Sequence, residues 1–247
     1  FRGLSLTIGN MNAGAVLFAS ANKIDARILY DEDSSVIGVI NLVSGGIHIT
    51  KSQLEACNSL TETVAGIRLS ACAEKVRGGL TAAATWFSLP FEPDMTQPEN
   101  LHSFEGDRLF NVAADIRAGT GSVLFFAEAG MSFPGHPAGT DRLNTGDSWA
   151  ATAGLRAKPS GRVTFNSLIR HFAPGYHAFH SGAFKAGSGS GNETGLSASV
   201  HLEAARHLFI TLAADHYRMP APRYRRSSPS DENGIEFTRE YQPRETI

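Results

Sequence analysis

Hydrophobic and polar residues alternate one for one over long stretches of this chain. In 196–203, Leu196, Ala198, Val200 and Leu202 alternate with Ser197, Ser199, His201 and Glu203. In 208–215, Leu208, Ile210, Leu212 and Ala214 alternate with Phe209, Thr211, Ala213 and Asp215. The segments 65–74 and 110–117 carry the same pattern, and 4–9, 149–158, 163–171 and 235–241 follow it less cleanly. Successive side chains of a strand point to opposite faces, so this pattern predicts a wall with one apolar and one polar side. A helical period is not sustained in any long segment.

The runs are long. Strands in soluble sheets cluster near ~5–6 residues, whereas a tilted strand crossing a bilayer needs ~9–11. The connections have a rhythm as well. Tight turns fall near 10–14, 74–79, 118–122, 157–162 and 203–207, and between them lie long polar links at 27–60, 89–106, 134–146, 173–190 and 219–233. Short turns at one end and long loops at the other are the habit of an outer-membrane barrel. The fold expected is all-β, an antiparallel up-and-down transmembrane β-barrel. About eleven strands are read, at 3–10, 14–26, 61–74, 79–89, 107–118, 121–133, 147–157, 161–172, 191–203, 206–218 and 234–243. Bacterial single-chain barrels have even strand numbers. Residues 1–247 are therefore expected to form one β-barrel domain, incomplete and truncated at both ends.

Composition narrows the picture further. Charged residues make up 19% of the 247 residues and the formal net charge is −2, so no global basic field points to nucleic acid. No apolar stretch approaches the ~20 residues of a membrane helix. Two cysteines, Cys57 and Cys72, are too few for a disulfide scaffold. Trp86, Phe87, Phe91, Phe133, Phe172, Tyr217 and Tyr241 fall near strand ends, where an interfacial aromatic girdle is expected.

The polar phase of the strands carries Arg68, Asp115, Arg117, Glu128, Arg156, Arg170, Glu203 and Asp215. On the inner wall of a barrel these charges could line a conducting pore or pair into a network that holds the lumen closed. Their nearly balanced signs favour the network, because buried charges are costly unless paired. The link 27–60 is oddly apolar, with Val36, Ile37, Val39, Ile40, Leu42 and Val43. A loop folded into the barrel or over its mouth is expected, with an extra hairpin at the rim as the alternative. His171, His177 and His180 lack a Cys or carboxylate at ligand spacing, so no metal and no cofactor is assigned. No catalytic constellation is found either. Arg223, Arg225 and Arg226, with Arg218, Tyr217 and Tyr224, form a basic loop suited to phosphate. Asp231, Glu232 and Glu236 offset that charge and favour a solvated loop.

Three stretches carry a family resemblance: GGIHITKSQLEACNSLTETVAGIRLS from 45, RHFAPGYHAFHSGAFKAGSGSGNETGLSASV from 170, and FITLAADHYRMPAPRYRRSSPSDENGIEFTREYQP from 209. Together they resemble the C-terminal barrel region of large, competence-like helix-hairpin-helix domain proteins of Gram-negative bacteria. The resemblance is strongest at Gly46, His48, Thr50 and Glu55; at Arg170, Gly175, Tyr176, His177, Phe179, Phe184, Asn192, Glu193 and Gly195; and at Pro220, Arg223, Tyr224, Arg225, Pro229 and Ser230. Ile49 departs from it, standing where Arg is expected. The resemblance implies DNA binding only through a helix-hairpin-helix part that this chain does not contain.

The expected function is an outer-membrane barrel with a transport, pore or anchoring role, serving macromolecule passage in the intact protein. Its partners would be outer-membrane lipid and lipopolysaccharide, with no small-molecule substrate identified. The competing readings are a soluble extracellular β-sheet binding module and a barrel enzyme.

Overall fold

The computed structural model describes residues 2–43, 45, 46, 48–97, 100–135, 148–186, 191–221, 224, 225, 242 and 243. In chain order these form β1 (Gly3–Gly9), β2 (Ala13–Ile24), β3 (Ala26–Tyr30), β4 (Val36–Leu42), α1 (Lys51–Ala56) and β5 (Leu60–Ala73). There follow β6 (Val76–Phe91), β7 (Gly106–Gly119), β8 (Val123–Gly135), β9 (Trp149–Ser160), β10 (Val163–Phe172), β11 (Glu193–Ala205) and β12 (Leu208–Arg218). The short strands β13 (Tyr224–Arg225) and β14 (Gln242–Pro243) pair only with each other.

One antiparallel sheet runs β1-β2-β5-β6-β7-β8-β9-β10-β11-β12, an up-and-down path of nearest neighbours. Only the β2-to-β5 step skips elements. There, β3 and β4 form a hairpin that joins the sheet by a single parallel bridge between Val39 and Phe91. The strand expected at 234–243 lies outside the described residues except for Gln242 and Pro243, which add nothing to the main sheet. Among the described residues β1 and β12 are edges that do not pair, so the sheet is open.

Local chemistry places the tight turns where they were expected. The Asn10 side chain accepts the N–H groups of Asn12 (2.8 Å) and Ala13 (3.0 Å), closing the β1–β2 turn. Glu74 and His207 adopt positive φ (44° and 66°), which lets β5–β6 and β11–β12 reverse over very few residues. The long connections all leave from the opposite end. The 27–60 link resolves into the rim hairpin β3–β4 and α1, rather than a loop inserted in the lumen. Helix α1 starts at Thr50, whose side chain and that of Gln53 form a reciprocal capping box.

The sheet's two faces are inverted relative to a soluble protein. Leu4, Leu6 and Ile8 of β1, Leu80 and Trp86 of β6, Ile169 of β10, and Leu208, Ile210 and Leu212 of β12 point away from the polar side and are exposed, Leu4 at 85% and Leu212 at 69%. Leu196, Val200 and Leu202 of β11 are exposed on the same face, with Ala198 half-buried between them. A shallow groove of about 890 Å³ crosses this face, floored by Ala127, Ala129, Ala151 and Ala153 and walled by Trp149 and Leu196.

On the inner face, small residues make room for large ones. Gly66 stands in register with Phe18, Gly154 with Phe126, and Gly195 with Arg170. In each case a Cβ on the glycine would collide with the opposite side chain. Among the described residues, the one packed apolar cluster lies at the long-loop end. It joins Ala26, Val39, Leu60, Phe87, Phe91, Phe104 and Leu109. Phe87 and Phe91 are therefore buried rather than in a girdle, Phe172 is buried at the end of β10 outside this cluster, and Trp86 is exposed as a girdle residue would be. Phe133 and Tyr217 are half-buried, and Tyr241 lies outside the described residues. Cys57 and Cys72 flank the two ends of β5, roughly 40 Å apart at the strand rise, and both are free.

Candidate functional site: a polar inner face and the loop that covers it

Strand alternation brings all eight charges of the polar phase to the inner face. Arg68 on β5 reaches across β6 to Asp115 on β7, its two terminal nitrogens lying 2.7 and 3.0 Å from the carboxylate oxygens. It also donates to Thr81 on β6 (2.9 Å). The pair can meet over β6 because Gly79 lies beneath it, where a Cβ would collide with both partners. Glu128 stands directly across from Asp115 in the β7–β8 register.

Arg170 on β10 forms the second centre. Its Nε donates to Glu193 (2.7 Å), and its terminal nitrogens grip Asp215 at 2.7 and 2.9 Å. Fork-to-fork geometry of this kind is the strong form of the interaction. The Arg170 side chain is 0% exposed and that of Glu193 is 1% exposed. The Phe184 ring caps the guanidinium at 5.3 Å, and the Ala186 N–H donates to the Glu193 carboxylate. Arg117, Glu128 and Arg156 are exposed on the same face and Glu203 is half-buried. Glu193 is the ion-pair partner that the sequence reading left out of the charge network. The signal was present: Glu193 is in phase with Ser197, Ser199 and Glu203, but it sits at a strand end beside a Gly-rich link. Arg170, Phe184, Glu193 and Gly195, which carried the family resemblance, all meet at this one point.

The link after β10 turns back over the inner face. The Asn111 amide donates to the His177 carbonyl (2.8 Å), and the His177 N–H donates to Ser132 Oγ (3.0 Å). The Tyr176 hydroxyl lies over Gly130, close to where a Cβ would stand. Phe179 enters the aromatic cluster, with ring centroids 5.1 Å from Phe87 and 5.2 Å from Phe104. His180 meets Glu62 of β5 at 3.0 Å. Residues 173–186 thus form a cover anchored to several strands, where the sequence suggested a long polar link. His171 is elsewhere, on the apolar face, hydrogen-bonded to Thr194 and tilted against the Trp149 ring at 4.3 Å. Arg223 and Arg226 lie outside the described residues, and only the backbone of Arg225 is described.

The anchors titrate in opposite senses. Burial pushes the His177 imidazole down to about 4, with His102 adding a smaller effect. The hydrogen bond to Glu62 raises His180 above its usual value. Burial, and then Glu128, raises the Tyr176 hydroxyl. His177 binds a proton more readily once released, so its contribution is complete above pH ~6.5 and is lost as pH falls toward 4. The size is on the order of 3 kcal/mol, from about 2.5 pKa units. His180 works the other way: its contribution is full below pH ~6.5 and is lost as pH rises through its raised pKa. His180 is mostly exposed and its share is screened, so acidification to pH 5 is expected to loosen the cover. Limited proteolysis within 173–186, corrected for protease activity, should rise at pH 5 in the native chain and stay flat in His177→Phe. Equal cleavage at pH 7 and pH 5 in the native chain would show that burial of the His177 imidazole does not hold the cover.

Comparison with known proteins finds no matching family model, no matching curated protein and no matching solved structure.

Proposed function

We propose that this chain builds the wall of an outer-membrane β-barrel, with a transport, pore or anchoring role. The supporting observation is the inversion of its faces: exposed aliphatic side chains on one side, ion-paired charges on the other. Water gives no reason to expose Leu4, Leu6, Ile8, Ile210 and Leu212 in rows, whereas lipid tails do. Tight turns would face the periplasm and the longer links the outside, where lipopolysaccharide is the neighbour. The cover and the paired charges make the lumen a closed or gated passage rather than an open channel. In the resemblance to competence-like helix-hairpin-helix proteins, such a passage would serve a macromolecule, DNA being the candidate. Arg68, Asp115, Arg170, Glu193 and Asp215 are engaged in guanidinium–carboxylate pairs, and we assign no catalytic role.

Both sheet edges need partners in a bilayer, where unpaired backbone groups are costly. With ten strands on the path, β1 and β12 run in opposite directions. They could pair directly as antiparallel neighbours, or an even number of further strands could stand between them. The free edges are the observation that favours the alternative, a soluble extracellular β-sheet binding module. Folding into detergent and into vesicles separates the two. The barrel should migrate differently on a gel before and after boiling, and float with vesicles. A chain that is monomeric in buffer, without heat-modifiable migration, would overturn the membrane reading.

A further inference from the structure

The longest link folds three different donor atoms onto one point. Asp25 occupies the bend between β2 and β3, His48 the segment between β4 and α1, and Cys57 the C-terminus of α1. The Asp25 carboxylate, a ring nitrogen of His48 and Cys57 Sγ all lie within 4.8 Å of one another. Asp25 Oδ2 and His48 Nε2 are 2.7 Å apart. Asn58 supports two of the three: its N–H donates to Asp25 Oδ1 (2.9 Å), and its side-chain amide donates to Cys57 Sγ (3.2 Å). It does so from a left-handed conformation, φ 52°. Supporting hydrogen bonds of this kind orient ligands around a metal and hold a carboxylate or thiolate in its charged form.

We propose that Asp25, His48 and Cys57 form a site for a borderline divalent cation of the zinc class. Sulfur, imidazole and carboxylate together select such an ion over calcium or magnesium, which take oxygen cages. Ligand atoms around tetrahedral zinc stand roughly 3.3–3.8 Å apart. The His48 ring therefore has to swing less than about 1 Å away from Asp25, and its exposed position leaves room for this. On binding, the Cys57 thiol gives its proton to solvent and the sulfur bonds the ion. Three protein ligands leave the fourth position to water or an incoming donor. The ion would staple the rim hairpin, the start of α1 and the entry to β5 at one point, fixing the loop end of the sheet. This inference does not rest on the membrane reading.

The test uses the full chain, folded in detergent and reduced, titrated with Co²⁺ as a spectroscopic probe. One saturable equivalent is expected, with a thiolate-to-cobalt band in the near ultraviolet and displacement by Zn²⁺. Cys57→Ser should abolish the thiolate band. His48→Gln and Asn58→Ala should each weaken binding at least ~10-fold. Cys72→Ser, at the far end of β5, should leave binding unchanged. Alkylation adds a readout in the unmutated chain: Zn²⁺ should slow reaction of Cys57 at least ~10-fold and leave Cys72 unaffected. No saturable Co²⁺ binding, an unchanged affinity in His48→Gln, or equal alkylation of Cys57 with and without Zn²⁺ would overturn the site.

Discussion

Arg170→Met is expected to destabilise the folded chain by about 3–5 kcal/mol, the cost of stranding a buried charge by removing its partner. Glu193 is the charge left behind. It is 1% exposed, it lies beneath residues 173–186, and it also accepts from the Ala186 N–H. Asp215→Asn should cost much less, because the Asp215 side chain is 34% exposed and water can replace the guanidinium. The double change Arg170→Met with Glu193→Leu should recover most of the loss, since an apolar pair can replace a buried ion pair at little net cost. Denaturant titration of the native chain, Arg170→Met, Glu193→Leu and the double change gives the coupling directly. Equal losses for Arg170→Met and Asp215→Asn would mean that Arg170 is not buried in solution as it is here.

Val200→Arg is expected to cost on the order of 2–4 kcal/mol in vesicles if it lies near the bilayer midplane. Val200 is mid-strand in β11, paired on both sides with β10 and β12, and its side chain is on the apolar face. Ser199→Arg, one residue away, should be milder. Ser199 faces the polar side, where it accepts a hydrogen bond from Asn166 (3.1 Å) and where Asp215 and Glu203 offer counter-charges. Both substitutions add the same side chain to the same strand, so propensity cancels in the comparison. Equal costs, or a greater cost at Ser199, would refute a lipid-facing side.

The strands were legible because two local signals agree along them. Alternation fixes which residues share a face, and turn residues such as Asn10, Asn12 and Gly161 fix where the chain reverses. Ten of the strands read at the sequence level correspond to the ten on the sheet path. The cover was not legible. Its anchors pair His180 with Glu62 and His177 with Asn111, residues far apart in sequence, and no local pattern encodes such contacts. The aromatics misled for a related reason. Position near a strand end suited a girdle for Phe87 and Phe172 as well as for Trp86, but alternation puts Phe87 on the opposite face from Trp86. Of the apolar run at 36–43, Val39 is buried and Leu42 packs against the same cluster, whereas Val36, Ile37 and Ile40 are exposed; the cluster partners Phe91 and Phe104 come from the end of β6 and the link after it. The cation site draws on three segments, and no spacing rule joins them.

Phe126 over Gly154, Phe18 over Gly66 and Arg170 over Gly195 also bear on how this chain can diverge. Each large side chain lies in space that its opposite number vacates, so neither position is free to drift alone. A Gly154 that gains a methyl needs Phe126 to shrink in the same lineage, whereas Gly66 is also blocked by the Ala82 carbonyl oxygen, 2.7 Å from where its Cβ would stand. Aligned descendants of a common ancestor should therefore show these positions changing in pairs. Heredity would act on the two-residue fit across neighbouring strands, and Gly154 and Gly195 would look invariant only in lineages that kept the large partner.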